Sequence, residues 1–288
     1  MQPESGSTAV QSDFTPGARA GGVLDGSVAF ITGAGSGLGA AFARRLAADG
    51  AHVVVNDISP EAAGAVARSV DGSVAVFDVC DSAAFDAAVA RTADRHGRLD
   101  IMINNACIAP PVEPAASEKM IAAQMLRMEG RIAEMGPAGF ITGLSDAAWD
   151  RMIKVHLYGT FYGTRAALRH MQRARAGVII NISSILGQLP SAAAPHYSAA
   201  KAAIIALTKS AAQETAHLGI RINAVCPGYV DTPLLDPYDD TIRAGIKMQI
   251  ASGRMGRPEE LAELVRFLAG PESSYCTGDI FTASGGYA

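Results

Sequence analysis

Seven short runs of β-branched and aliphatic residues recur along the chain, separated by longer segments that are rich in alanine. The runs are SVAFIT, AHVVVND, SVAVFDV, LDIMINN, GVIINIS, IRINAVC and GDIFTAS. In the alanine-rich segments, such as DSAAFDAAVARTADRHG, apolar residues return every three or four positions and a glycine follows. This spacing is typical of amphipathic helices. The pattern therefore predicts seven strands that alternate with helices.

Nearly continuous apolar character is typical of strands that are covered on both faces, as in a parallel sheet. Strands joined by helices form a doubly wound α/β sheet. We therefore expect a single Rossmann-like domain over residues 25–288, with a doubly wound sheet of seven mostly parallel strands flanked by helices. Residues 1–24 are polar and lack the basic start and apolar core of a signal peptide. We expect them to form a flexible tail, and we expect a cytoplasmic protein.

Residues 108–144 interrupt the alternation after the fourth strand. Apolar residues in this insertion are spaced by four, three, four and three positions, at Ile121, Met125, Met128, Ile132 and Met135. Such spacing predicts one apolar stripe on a helix. We interpret the insertion as a possible lid over a pocket for an adaptable apolar ligand. The alternative is that the stripe packs against the body or a neighbouring subunit.

Charge and composition exclude several function classes. The chain has 24 basic and 28 acidic residues and no basic block, which disfavours nucleic acid and anionic membranes as partners. Its apolar segments are interrupted before about 18 residues, so no membrane span is expected. The four cysteines are far apart and the six histidines form no ligand pair, so neither a metal nor a disulfide framework is expected. A small-molecule substrate is the expected partner.

A glycine-rich turn in VAFITGAGSGLGAAFARRL separates the first strand from the first helix. Gly33, Gly37 and Gly39 would let the backbone approach a diphosphate bound at the helix N-terminus. The second strand ends at Asp57, where an acid can bind both ribose hydroxyls of NAD and would repel the 2′-phosphate of NADP. Ser36 stands in the turn and no Arg or Lys follows Asp57 immediately. We therefore predict NAD, although a solvated strand end would also explain Asp57.

The segment HYSAAK places Tyr197 four residues before Lys201, and Ser184 ends the fifth predicted strand. Strand ends and helix starts of a parallel sheet meet at one edge, where ligands bind. Lys201, with the charge of an oxidised nicotinamide, would lower the pKa of Tyr197 from about 10. Tyr197 would then take the proton of an alcohol as hydride leaves, or return it to a ketone. Ser184 would bind the substrate oxygen, and Lys201 would also bind the nicotinamide ribose.

These motifs together resemble the short-chain dehydrogenase/reductase family over residues 24–288. The matching segments are TGAGSGLG, DV at Asp78 and Val79, NNA at residues 104–106, Ser184, YSAAK, and NAVCPGYVDT at residues 223–232. The resemblance implies an oxidoreductase that interconverts a secondary alcohol, expected to be apolar, and a ketone with NAD. It also implies a homo-oligomer, either a tetramer or a dimer.

The resemblance implies further contacts with the cofactor. Asp78 and Val79 would contact the adenine, and Asn105 and Ala106 would flank the riboses. Val230 would bind the carboxamide of the nicotinamide through its backbone. The remaining cofactor-binding positions expected on this basis are Leu38, Ile58, Pro227, Gly228 and Thr232.

Two positions depart from the pattern of this family. Cys107 stands where glycine is usual, and we interpret it as a small buried residue rather than a redox group. His156 occupies the place of an asparagine that holds a water in a proton relay from the lysine. A ring nitrogen could hold the same water and carry protons near neutral pH, so we predict a catalytic role for His156. The alternative is a broken relay in a non-catalytic relative.

Two other functions stay open at this point. A 3-oxoacyl-thioester reductase, acting on acyl carrier protein or CoA, would favour a basic rim, for which the candidates are Arg127, Arg131, Arg243 and Lys247. A non-catalytic NAD-binding sensor belongs to a different class, and it would bind cofactor without turnover. The loop from Asp231 to Arg257 is expected to border the pocket, but its residues specify no substrate.

Overall fold

A computed structural model of the chain describes residues 22–110, 122–123 and 125–287. Its strands are β1 Val28–Ile31, β2 His52–Asp57, β3 Ser73–Val76, β4 Ile101–Asn104, β5 Gly177–Ile182, β6 Ile220–Pro227 and β7 Ile280–Ala283. They form one sheet in the order β3-β2-β1-β4-β5-β6-β7, and all neighbouring strands are parallel. The predicted seven-stranded, doubly wound sheet is confirmed.

Helices cover both faces of this sheet. Those with defined bounds are α1 Gly37–Ala48, α2 Pro60–Ser69, α3 Ser82–His96, α4 Asp146–Ile153, α5 Gly159–Ala174, α6 Pro195–Thr215, α7 Asp240–Met248 and α8 Pro258–Ala269. In the insertion, residues 122–123 and 125–128 are also helical. A π-helical turn, Lys154–Tyr158, joins α4 to α5. Short 3₁₀ turns lie at Ile132–Glu134, Ile185–Gly187, Ala216–Leu218, Pro233–Leu235 and Pro271–Ser273. None of the described helices is long and apolar enough to cross a membrane.

Alternate residues of each central strand enter two different cores. In β1, Ala29 and Ile31 pack with α1, α2 and α8, whereas Val28 and Phe30 pack with α3, α5 and α6. Side chains along a strand point to opposite faces in turn, so a strand buried on both faces needs an apolar residue at every position. This is why all four β1 residues are buried and why the strand runs show no polar alternation.

The boundary of the N-terminal tail needs a correction. Leu24, which the sequence placed in the tail, is only 3% exposed, and its amide donates to the carbonyl of Asp49. The folded body therefore includes residues from Gly22 onward, because an apolar side chain at position 24 completes the core beside α1. Residues 1–21 lie outside the described residues.

Most of the described apolar stripe of the insertion faces solvent, and only Met135 is half-buried. Met125, Met128 and Ile132 are 59%, 82% and 65% exposed. Among the described residues of the insertion, only Ile108 and the two residues after it line the large cavity at the carboxyl ends of the strands. Ile121 lies outside the described residues. The lid therefore stays a prediction.

Candidate active site

The carboxyl ends of the strands open onto one cavity of about 1410 Å³. This is larger than the roughly 300–1,000 Å³ of most small-molecule sites, which favours a cofactor and a substrate side by side. In the sheet β1 and β4 are neighbours, and the chain proceeds from them in opposite directions. Such a switch point is where doubly wound sheets bind ligands. All the predicted site residues except Gly39 and His156 line this cavity.

The glycine-rich turn allows two close backbone approaches. Gly33 has a φ of 60°, and a β-carbon there would lie 2.7 Å from the Cα of Ala106. A β-carbon on Gly39 would lie 2.6 Å from the Asn105 amide nitrogen. Gly39 therefore packs the start of α1 against the turn instead of lining the cavity. The first N–H groups of α1 have no partner within the helix, so this geometry would let them bind an anion.

Asp57 is held in place by two backbone amides. Its Oδ2 accepts from the N–H of Gly35 and its Oδ1 from the N–H of Ser59, each at 3.0 Å. A β-carbon on Gly35 would lie 2.7 Å from that Oδ2, so glycine is required here. Gly35 was not among the predicted cofactor-binding residues, although it stands in the same turn. Each carboxylate oxygen keeps a lone pair for a ligand, since an ionised carboxylate accepts at about four sites.

Thr32 connects the glycine turn to the end of β4. Its hydroxyl accepts from the backbone amides of Asn105 and Ala106 at 3.0 and 3.1 Å. The Asn105 side chain donates back to the carbonyls of Thr32 and Gly33. Asn105 thus lines the cavity, but its amide group is committed to holding the turn. Thr32 was not predicted, because a threonine at a strand end is common in any sequence.

Ser184, Tyr197 and Lys201 converge on the cavity from β5 and α6. Ser184 caps the 3₁₀ turn after β5, where its hydroxyl accepts from the amide of Leu186 at 3.1 Å. Tyr197 and Lys201 lie one helical turn apart, and the Lys201 Nζ is 5.6 Å from the centre of the Tyr197 ring. The same Nζ donates to the carbonyl of Ile182 at 2.9 Å. The two side chains are nearly fully buried, with 9% and 2% exposure.

The pKa of Tyr197 differs from our expectation. Burial raises the pKa of its phenol, and the neighbouring Cys107 raises it further, whereas the hydroxyl of Ser184 lowers it. We expected Lys201 to lower this pKa. Burial also lowers the pKa of Lys201, and its ammonium is directed at the carbonyl of Ile182. The protein by itself therefore keeps Tyr197 protonated.

His156 lies in the π-helical turn between α4 and α5 and is completely buried. Its Nε2 is 3.2 Å from the amide nitrogen of Ile108 and 3.1 Å from the carbonyl oxygen of the same residue. One ring nitrogen can serve only one of these groups at a time, whereas an asparagine amide could serve both. Its ring centre lies 5.2 Å from that of Tyr197. Among the described residues, Nδ1 has no hydrogen-bond partner.

The pKa of His156 lies well below its usual value, first because of burial and then because of the charge of Lys201. His156 is therefore uncharged at neutral pH, which corrects our expectation that it carries protons there. A neutral ring can still hold a water through Nδ1.

Replacing His156 with asparagine should reduce the acid sensitivity of the fold. An unfolded histidine takes up a proton with a pKa of about 6.5, and the folded protein disfavours that proton. His156 therefore stabilises the fold above about pH 6.5, and this stabilisation is lost as the pH falls. Calorimetry should show a smaller fall in Tm between about pH 7 and about pH 5 for His156→Asn than for the parent protein. His217→Asn, at an exposed histidine, serves as the control. An equal fall in Tm in the parent protein and both variants would contradict the effect expected for His156.

Cys107 is exposed on the cavity wall rather than buried in the core. The cavity wall removes water from around the thiol and so raises its pKa, whereas the charge of Lys201 lowers it. Solvent reaches it through the cavity. Our interpretation as a buried residue is therefore wrong: the side chain narrows the space next to Tyr197 and Lys201.

The segment after β6 borders the cavity, as predicted. Residues of the 3₁₀ turn Pro233–Leu235 and of α7 line it, together with Tyr229 and Tyr238. Tyr287, near the end of the chain, lines the same part. The three tyrosines were not predicted, because they lie on irregular segments that carry no periodic pattern.

Comparison with known proteins agrees with this geometry. Residues 27–243 match the family model for short chain dehydrogenases. This chain belongs to the short-chain dehydrogenase family. It is thus an oxidoreductase that acts on CH–OH groups, from a family that uses nicotinamide cofactors.

Several individual relatives cover nearly the whole chain. A cis-4-hydroxycyclohexanecarboxylate dehydrogenase of Sinomonas cyclohexanicum is 41% identical over 90% of this chain and 96% of its own. A 3-oxoacyl-[acyl-carrier-protein] reductase of Thermotoga maritima is 33% identical over 91% and 98%. A crystal structure from Brucella melitensis, described as a ribose-5-phosphate isomerase, has a TM-score of 0.79 and 32% identity over 93% of this chain and 94% of its own.

Proposed function

We propose that this short-chain dehydrogenase interconverts a secondary alcohol and a ketone with NAD. The observation that carries the proposal is the convergence of Ser184, Tyr197 and Lys201 on the cavity that the glycine turn also lines. A bound nicotinamide would accept hydride from the alcohol carbon or return it to the ketone, and its oxidised ring would supply positive charge.

The three side chains divide the remaining chemistry. Tyr197 takes the proton of the alcohol oxygen, or returns it to the ketone oxygen. Ser184 donates its hydroxyl proton to the substrate oxygen and so orients the reacting carbon. Because the protein alone raises the pKa of Tyr197, the phenol becomes an effective base only when positive charge is added beside it.

The choice of NAD is supported by Asp57. Its carboxylate lines the cavity, and two backbone amides fix its orientation. A fixed acid can accept hydrogen bonds from ribose hydroxyls and repels a 2′-phosphate. Near Gly33, Gly35 and Gly39 the absence of β-carbons leaves the backbone accessible to a diphosphate. A cytoplasmic location stays a prediction.

A 3-oxoacyl-thioester reductase is the second candidate, supported by the relatives that carry this name. Its expected basic rim finds limited support. Arg131 pairs with Glu129 and Glu134. Arg243 donates to two backbone carbonyls and pairs with Asp231. Arg127 and Lys247 remain as candidate cations.

The test measures reduced nicotinamide by absorbance, with NAD or NADP and a panel of secondary alcohols and 3-hydroxyacyl thioesters. We expect NAD reduction with apolar alcohols. Preference for the thioesters would favour the second candidate. Tight NAD binding without turnover on any substrate would favour a non-catalytic sensor and overturn the proposal.

We expect His156→Asn to keep kcat within about threefold of the parent protein. The amide can satisfy both the N–H and the carbonyl of Ile108 and can hold the same water. His156→Ala should lower kcat by about tenfold and alter the pH profile, since acid–base assistance is worth about 10²–10⁴ in full. Steady-state kinetics across pH distinguish the outcomes. Unchanged turnover and pH profile in His156→Ala would remove the relay role.

Assembly into a homo-oligomer is also part of the proposal. Tyr158, in the π-helical turn, and Phe161, on α5, are 44% and 41% exposed, and both rings lie beside that of Tyr162. Exposed aromatic side chains that lie close together favour protein–protein contact. Sedimentation of the full chain should give a dimer or tetramer mass, and a monomer at micromolar concentration would contradict this.

A further inference from the structure

We propose that Tyr229 and Tyr238 form a second recognition site, which binds an uncharged substrate through a hydrogen-bond acceptor distant from the reacting carbon. The inference rests on the proposed function, because it specifies the substrate class of that same cavity. It also separates this chain from its relative that acts on a hydroxy acid.

Both tyrosines belong to the part of the cavity wall built after β6. Tyr229 follows Gly228 at the end of that strand, and Tyr238 stands just before α7. Both rings line the cavity and are half-buried. Tyr197 lines the same cavity, so a molecule that fills the cavity from Tyr197 would extend toward them.

A separate apolar cluster holds these rings in place. It contains Leu235, Ile246, Ile250 and Met255, with Tyr229, Tyr238, Ile242 and Tyr287 packed against it. The rings of Tyr229 and Tyr287 lie edge to face, with centres 5.4 Å apart. The Tyr287 hydroxyl donates to Gln249 at 3.3 Å. Rings fixed by packing present their hydroxyls at little further entropic cost on binding.

Both hydroxyls act as donors rather than as charged groups. Burial raises the pKa of Tyr229 and of Tyr238, so both remain protonated at neutral pH. The Tyr238 hydroxyl can donate one hydrogen bond to a carbonyl, ether or hydroxyl oxygen of a ligand. The Tyr229 hydroxyl, which also interacts with that of Tyr287, can do the same by turning its proton toward the ligand.

Cations in the described cavity wall are directed elsewhere. Lys201 donates to the carbonyl of Ile182. Arg151 and Lys154 both oppose the rise in the pKa of the Cys80 thiol, and Cys80 lies beside the predicted adenine contact Asp78.

The cation nearest to the tyrosines along the chain, Arg243, bonds the backbone carbonyls of Leu235 and Tyr238 and pairs with Asp231. A carboxylate bound between the tyrosines would lose hydration without a free cationic partner among the described residues that line the cavity, which is costly. An uncharged acceptor does not incur this cost. The geometry therefore favours a neutral substrate.

The experiment compares three alcohols of similar shape: cis-4-hydroxycyclohexanecarboxylate, its methyl ester and 4-methylcyclohexanol. The first is an anion, the second is a neutral acceptor, and the third is neutral without an acceptor. We expect kcat/KM for the ester to exceed that for the carboxylate by about tenfold or more, since an unpaired charge is costlier to bury than a neutral oxygen. A carboxylate that reacts as well as its ester would overturn the proposal.

Tyr229→Phe and Tyr238→Phe keep the rings and remove the donors. Each should lower kcat/KM for the ester by about three- to tenfold, the value of one hydrogen bond, mainly through KM. With 4-methylcyclohexanol the values should stay within about twofold, and the fully exposed Tyr275→Phe serves as the matched control. Equal losses with the ester and with 4-methylcyclohexanol would indicate a packing role and overturn the proposal.

Binding to the protein–NADH complex separates this proposal from the proposed function. Quenching of NADH fluorescence would be titrated with methyl 4-oxocyclohexanecarboxylate and with its free acid. If no alcohol is oxidised, the proposed function fails, and the second site is then decided by binding alone. Tighter binding of the ester that weakens in both tyrosine variants supports the site, and equal binding of ester and acid refutes it.

Discussion

We expect Tyr197→Phe to lower kcat by about 10³-fold while binding of the proposed NAD cofactor persists. The substitution removes the phenolic oxygen that exchanges the proton, and acid–base groups contribute about 10²–10⁴ to a rate. The ring stays in its pocket among Met152, Ala194 and Ala200, so the fold and the cofactor contacts survive. Steady-state assays of nicotinamide absorbance give kcat, and quenching of protein fluorescence gives the affinity for NAD.

Tyr275→Phe is the matched control for this change, because its side chain is fully exposed. It should behave as the parent protein in both assays. Residual turnover above about a tenth in Tyr197→Phe would show that another group transfers the proton. Loss of NAD binding together with a lowered Tm would indicate damage to the fold instead.

We expect Asp57→Asn to reduce the proposed preference for NAD over NADP. The amide keeps one oxygen for the backbone amides of Gly35 or Ser59 but removes the charge. Hydrogen bonds to charged groups are worth about 1.5–3 kcal/mol, so kcat/KM with NAD should fall by about 10- to 100-fold. The value with NADP should rise, because repulsion of the 2′-phosphate is removed. Steady-state kinetics with both cofactors measure the two changes.

Asp78→Asn makes the same chemical change on another acid that lines the cavity. As a predicted adenine contact, Asp78 should affect NAD and NADP equally, so the ratio of the two kcat/KM values should stay constant. An unchanged ratio in Asp57→Asn would mean that Asp57 is only a solvated strand end. Thermal unfolding of both variants reveals any loss of stability caused by the one bond, to Gly35 or to Ser59, that Asp57→Asn removes.

The strands were predictable because their cause is local. A parallel strand buried on both faces needs apolar residues throughout, and each predicted run contains the strand that the structure has, apart from β6, which extends one residue further to Pro227. The run SVAVFDV was longer than its strand, since β3 ends at Val76 and the chain then leaves the sheet edge. The position of Leu24 could not be predicted, because its partners come from α1 and the strands behind it.

The site was predictable where spacing along one element carries the chemistry. Tyr197 and Lys201 lie one helical turn apart, and Ser184 ends a strand, so their convergence follows from the sheet. The electrostatics of these groups were not predictable. Burial decides the pKa of Tyr197, Lys201 and His156, and burial depends on elements that are distant in the sequence.

The sequence by itself determined the sheet, the glycine turn and the three residues that meet at its edge, because periodicity and short spacings express local geometry. Only the tertiary structure decided which way the pKa of each buried group moves, that Cys107 faces the cavity, and that Tyr229, Tyr238 and Tyr287 share one wall of it. These features depend on residues that are distant in the sequence, such as Cys107 and Tyr287, which line the same cavity. No local pattern encodes such contacts, because packing sums the contributions of many separate segments.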